Sequence, residues 1–123
     1  MHVVIVGCGR VGSTLGRELT AAGHTAAVID RKPEAFSRLG ESFTGQKITG
    51  IGFDREVLIE AGIERAGALA SVTNGDNSNI LIARVAREEF GIERVVARIY
   101  DPKRAEIYER LGIATVATVK WTS

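Results

Sequence analysis

The stretch His2-Val3-Val4-Ile5-Val6-Gly7-Cys8-Gly9-Arg10-Val11-Gly12 decides the fold. An apolar run leads straight into three glycines spaced G-x-G-x-x-G, and a helical pattern follows. A second apolar run closes on Asp30, 18 residues after Gly12. Strand, tight turn, helix, strand and terminal acid in that order make the dinucleotide-binding fingerprint. Glycines alone would say little, because the chain has 14 of them. Here each has a physical reason to be glycine. Gly7 allows the turn, Gly9 lets backbone approach a pyrophosphate, and Gly12 lets the helix pack closely on the strand. The helix starting near Arg10 or Val11 offers free N–H groups and a positive dipole end to an anion. An adenine nucleotide is the expected ligand; the alternative is a domain of this shape that has lost it.

Outward from that stretch, apolar runs and helical periodicities alternate to the end. Strands are expected at 2–7, 25–30, 46–50, 68–73, 95–99 and 114–119, the third being poorly marked. Helices are expected at 11–22, from Pro33, and at 54–61, 77–90 and 102–111, with Gly23, Gly62, Gly91 and Gly112 as stops. The pattern predicts an α/β, Rossmann-like, doubly wound six-stranded parallel sheet, order 3-2-1-4-5-6, with helices on both faces. Residues 1–123 read as one domain, without linker or low-complexity tract.

Hydrophobic content of 45% and charged content of 25% are ordinary for a soluble globular chain. A net charge of +1 gives no reason to expect a nucleic-acid partner or an acidic membrane surface. No apolar stretch approaches the ~20 residues of a membrane span, and no signal peptide is expected before the first strand. Cys8, the single cysteine, excludes an internal disulfide and suits a reducing cytoplasm. Its place in the glycine loop reads as a need for a small side chain rather than a reactive thiol.

Ligands of such sheets bind outside the carboxyl ends of the strands, beside strand one. Cys8 to Arg10, Asp30, Thr73 to Asp76 and Arg98 to Asp101 fall at that edge. His2 and His24 fall at the opposite edge and read as surface residues, unsuited to acid–base work on a bound nicotinamide. Asp30 is expected to accept hydrogen bonds from the ribose hydroxyls, and its charge favours NAD over NADP, a preference softened by Arg31. Asp30→Ala is then expected to weaken binding with little change in stability. Arg10 opposes the helix dipole unless a phosphate lies between it and the amides. The polar loop from Thr73 to Asn79 divides between capping of the next helix and ligand contact by Thr73 and Asn74. Arg98, if buried, needs an anion, which the nucleotide or Asp101 could supply. The helix at 77–90 carries Ile80, Leu81, Ile82, Ala83, Val85, Ala86 and Phe90, more than one packing stripe, and implies a second surface, most simply a homodimer.

These residues resemble a known family, the N-terminal RCK (TrkA-N) domain of the Trk/Ktr potassium-uptake regulators. The resemblance covers nearly all 123 residues. It rests on Val4 to Gly12, Val28 to Arg31, Val72-Thr73, Asp76 to Ile80 and Ala97 to Pro102. The segment from Asp54 to Ile63, pattern DxxxLxxAGI, separates this family from ordinary dehydrogenase domains. The resemblance implies a regulator that is not itself an enzyme, held at the cytoplasmic face of a membrane potassium-translocating subunit. It implies NAD(H) or ATP/ADP as ligand, and coupling of ligand state to transport through a dimeric or octameric assembly.

Carried over by residue, Gly7, Cys8, Gly9, Arg10, Val11 and Gly12 would hold the phosphates, and Asp30, followed by Arg31, the ribose. Thr73, Asn74 and Arg98 would line the rest, and Arg10 could reach a terminal phosphate of ATP. Two departures stand out. Gly50 is followed by Ile51 where the family usually has an acid on the adenosine side. The chain also stops at Ser123, where relatives continue into a crossover helix and usually a C-terminal lobe, with Thr122 and Ser123 resembling caps of that helix. A cofactor-binding domain of an NAD-dependent oxidoreductase is the alternative from another class, and a dimerisation module with a vestigial pocket is a third.

Overall fold

The computed structural model describes residues 1–116, so the expected continuation of the last strand to Val119 and the capping role of Thr122 and Ser123 lie outside the described residues. His2–Val6 forms β1, buried along its whole length. A strand flanked on both sides and covered on both faces has no exposed positions to alternate with, hence the unbroken apolar run Val3 to Val6. β1 pairs in parallel with β2 (Thr25–Asp30) and with β4 (Ala68–Ser71). β3 (Gln46–Thr49) lies beyond β2. β5 (Arg94–Arg98) and β6 (Ala114–Val116) follow β4 on the other side. The order is 3-2-1-4-5-6, as expected.

Between the strands run α1 (Arg10–Ala21), a 3-10 helix (Pro33–Leu39), α2 (Arg55–Glu60), a short 3-10 turn (Ile63–Arg65), α3 (Asp76–Phe90) and α4 (Pro102–Arg110). The crossover from β2 to β3 is therefore a 3-10 helix, seven residues started by Pro33. Helices cover both faces and make two cores. Val3 and Ile5 join Val28, Leu39 and Phe43 under α1. Val4 and Val6 join Leu58, Ile63, Leu69 and Ile82 under α2 and α3. α3 ends at Gly91, which takes a left-handed φ of 68° and lets the following Ile92 N–H donate to the carbonyl of Ala86 at 3.1 Å.

Of the seven apolar side chains on α3, Ile80, Ile82, Ala83 and Ala86 are buried, and Val85 and Phe90 pack against the same core. Only Leu81 is substantially exposed, at 45%. The helix thus spends nearly all its apolar surface inside the chain, which removes most of the sequence argument for a second packing surface.

His2 corrects a second expectation. It is buried, with Nδ1 2.7 Å from Thr25 Oγ1 and Nε2 2.8 Å from the carbonyl of Ala61. Both ring nitrogens are engaged, so it pins the amino end of the sheet to the end of α2. His24 is half-buried, its Nδ1 3.2 Å from the Met1 amino group. Both histidines do lie at the edge opposite the carboxyl ends of the strands.

Candidate functional site

A cleft of about 730 Å³ opens at the carboxyl ends of β1 to β4, where the strand order reverses. Its size lies within the ~300–1,000 Å³ range of small-molecule sites. Gly7, Cys8 and Gly9 form its floor, and Asp30 and Arg31 one wall. Thr73 and Asn74 stand on the opposite wall. Arg10, Val11, Gly12 and Arg98 do not line it, so the structure brings together seven of the eleven candidate residues.

The glycine loop is built around two close approaches. Gly7 has a φ of 105°, and a Cβ there would sit 2.9 Å from the Thr73 nitrogen. A Cβ on Gly12 would fall 1.7 Å from the carbonyl oxygen of Gly7. Gly9 differs: a Cβ there meets nothing within 4 Å, so the protein itself does not demand a glycine at that point. Gly9 is also the N-cap of α1 without a side-chain cap, and α1 has no acid in its first turn. The helical ladder begins with the Ser13 N–H donating to the Gly9 carbonyl at 2.9 Å, leaving the amides of Arg10, Val11 and Gly12 ahead of it. Free donors and the positive end of the helix dipole suit an anion laid over the loop. Arg10 is exposed at this start.

Asp30 is half-buried at the end of β2, and both its oxygens are engaged. Oδ2 accepts from the Cys8 N–H at 2.8 Å and Oδ1 from the Lys32 N–H at 2.9 Å. It therefore braces the glycine loop as well as facing the cleft, and each oxygen keeps acceptor capacity for a hydroxyl. This donor and acceptor set fits an adenine nucleotide. Beyond Asp30, Ile51 and Phe53 line the cleft, 41% and 45% exposed, Ile51 at the position where the resemblance implies an acid. Asp54 comes too late to replace that acid, because it caps α2 by accepting from the Glu56 N–H at 2.9 Å.

Cys8 is fully buried, and its Sγ lies 3.3 Å from the Ala35 carbonyl. Burial, then the charge of Asp30, pushes its thiol above the ordinary range, with Arg38, Lys47 and Arg17 opposing. The thiolate is the nucleophile, so this thiol should be inert. Iodoacetamide should leave the folded protein unlabelled at neutral pH and modify it fully once denatured; rapid labelling of the native chain would contradict the packing. The native state holds the thiol proton more tightly than the unfolded chain. The resulting stability is present below the ordinary thiol pKa and is lost as pH rises into the alkaline range.

The loop from Thr73 to Asn79 behaves differently from its sequence reading. α3 is capped by Gly75, with no side-chain cap. Asn79 is instead a buried hub. Its Oδ1 accepts from Ser71 Oγ at 3.1 Å, the Thr73 N–H at 2.9 Å and Thr73 Oγ1 at 2.7 Å. Its Nδ2 donates to the carbonyls of Thr73 at 3.0 Å and Arg98 at 2.6 Å. Asp76 accepts from the amides of Tyr100 at 2.7 Å and Asp101 at 3.1 Å, tying α3 to the loop after β5. Spacing could have flagged Asn79, which shares a helical face with the buried Ile82, Ala83 and Ala86.

Arg98 does not line the cleft. Its guanidinium carbon lies 4.6 Å from the Tyr100 ring centroid, and its buried Nε has no hydrogen-bond partner among the described residues. Asp101 does not pair with it; that carboxylate caps α4 through the Lys103 N–H at 3.0 Å. The aromatic face holds the cation where an anion was expected. Among the described residues no helix is long and apolar enough to cross a membrane, and no three His, Cys, Asp or Glu gather as for a metal.

Fold and cleft together define a Rossmann-type domain with an open cleft at the switch point of its sheet. The TrkA-N domain family matches residues 3–119, and the chain belongs to that family. It is 68% identical over all 123 residues to the Trk system potassium uptake protein TrkA of Streptomyces coelicolor, spanning 55% of that relative's length. The chain spans about half the length of the curated relatives it matches. Among solved structures it is similar to the Kef CTD of Shewanella denitrificans in AMP-bound form, at 25% identity and a TM-score of 0.84, covering 98% of this chain and 73% of that one. It is also similar to the TrkA-N domain of the inner membrane protein ybaL from Escherichia coli, at 26% identity and a TM-score of 0.80, covering 95% of this chain and 87% of that one.

Proposed function

We propose that the cleft binds an adenine nucleotide, NAD(H) or ATP/ADP, and that this domain is the sensing part of a cytoplasmic potassium-uptake regulator. The observation that carries the reading is Gly9. It stands at the mouth of an uncapped helix, with open space where a Cβ would point, beside a carboxylate held at the end of β2. The AMP-bound Kef relative and the potassium-uptake name of the Streptomyces relative support the ligand class and the process. Among the described residues lining the cleft, the titratable groups are one carboxylate, a protonated thiol and three cations, a set suited to holding an anionic ligand. Ligand state would act on a membrane potassium-translocating partner by favouring one geometry of a homodimer or larger assembly. That requires different affinities for the two geometries.

Parallel calorimetric titration with NAD, NADH, ATP and ADP tests the reading. Micromolar binding with a preference inside one pair is expected, and silence with all four would overturn it. In Asp30→Ala, affinity should fall by roughly 1.5–3 kcal/mol through loss of a charged acceptor. The same change removes two backbone contacts, so the melting point should fall as well, unlike the sequence expectation. Equal affinity in mutant and parent would remove Asp30 from the site.

A further inference from the structure

Three cations stand at the β2 end of the cleft, away from the start of α1 where the phosphates are placed. Arg31 and Lys32 follow Asp30 directly, and Arg38 lies on the 3-10 helix; all three are exposed and line the cleft. Asp30 is the only acid among the described residues lining it. The ion pairs among the described residues are Arg55–Glu89, Arg84–Glu88 and Arg110–Glu106, so no acid there engages these three. Arg17 and Lys47 add to the same field, since both, with Arg38, act on the Cys8 thiol as neighbouring positive charges. Arg17 also donates to the Arg38 carbonyl, holding that end of the 3-10 helix to α1.

Asp30 is meanwhile committed to two backbone amides, which offset part of its charge. A nucleotide whose phosphates all lie over the start of α1 would leave this positive end unmatched.

We infer that the β2 end of the cleft is a second phosphate subsite, and that the domain takes an adenine dinucleotide phosphorylated on the ribose, of the NADP(H) kind. The inference rests on the nucleotide reading of the cleft. It reverses the preference for NAD drawn from Asp30 alone. An acid at the end of the second strand favours a free ribose hydroxyl, whereas an arginine beside it accommodates a 2′-phosphate. Both are present here, and the local balance is three cations against one partly neutralised carboxylate. Guanidinium groups match phosphate through paired N–H donors, which gives Arg31 and Arg38 directional contacts beyond bulk charge.

The test is parallel titration of the chain with NAD and NADP at low and moderate salt, repeated in an Arg31→Gln/Arg38→Gln double variant. NADP should bind at least as tightly as NAD at low salt, with the steeper salt dependence. The double variant should lose at least tenfold in NADP affinity and several-fold less in NAD affinity. Binding of NAD that is tighter than that of NADP, or an equal loss for both in the variant, would overturn the subsite while leaving the nucleotide reading intact. Failure of the parent to bind either would overturn both.

Discussion

Gly12→Ala should be the most damaging single methyl in this chain, lowering stability by about 3 kcal/mol or more. In an ordinary helix this substitution helps, by roughly 0.5–1 kcal/mol, because glycine loses more backbone freedom on folding. Here the added Cβ would lie 1.7 Å from the Gly7 carbonyl oxygen, inside any contact distance, and that atom belongs to backbone. Gly7 has little room to retreat, since even a Cβ added there would fall 2.9 Å from the backbone of Val72 and Thr73, and its φ is 105°. Either α1 lifts from β1 or the glycine loop deforms. A melting curve should show a drop on the order of 10 °C. A variant as stable as the parent would mean that the helix does not pack on the loop as described.

Asn79→Ala should come close behind, at about 3 kcal/mol. Truncation strands the Ser71 hydroxyl, the Thr73 N–H and the carbonyls of Thr73 and Arg98, all of which Asn79 satisfies. Groups left dry and unpaired cost more than a surface hydrogen bond returns. Thr73 also lines the cleft, so nucleotide affinity should weaken in parallel. Urea unfolding with a change below about 1 kcal/mol would show the hub to be dispensable.

Gly12 and Asn79 also mark how far the sequence alone could be read. The strand order followed from Gly7 to Gly12 lying between two apolar runs, with Asp30 closing the second. That arrangement has one common topological solution. Helix ends were legible because Gly62 and Gly91 stop the pattern and take left-handed backbone. Roles that depend on what a side chain meets were not legible. His2 heads an apolar strand, and no local pattern says that Thr25 and Ala61 close over it. Arg98 needed a partner, and only the fold chose Tyr100 over Asp101. Asp30 was read as a ligand contact, while its bracing of Cys8 depends on the distance between two strand ends. The polar run from Thr73 to Asn79 has the composition of a helix cap, which hid the one residue in it that is buried.

The site and the stability are thus partly the same residues. Gly7 and Gly12 serve packing, Asp30 and Thr73 line the cleft and also hold neighbouring backbone or side chains, and Gly9 alone of these has no structural demand on it. A ligand that settles over the loop and against Asp30 would therefore also tighten the junction of β1, β2 and β4. Such stabilisation by a bound nucleotide is the physical route by which ligand state could bias an assembly.

Gly9→Ala separates these roles most directly, because its methyl enters the space assigned to the phosphates and touches nothing else. Titrate the parent and this variant with NAD and ADP, and record both melting curves. An unchanged melting point with at least a tenfold loss of nucleotide affinity is the predicted result. Undiminished binding in a well-folded Gly9→Ala chain would contradict a nucleotide seated on the glycine loop.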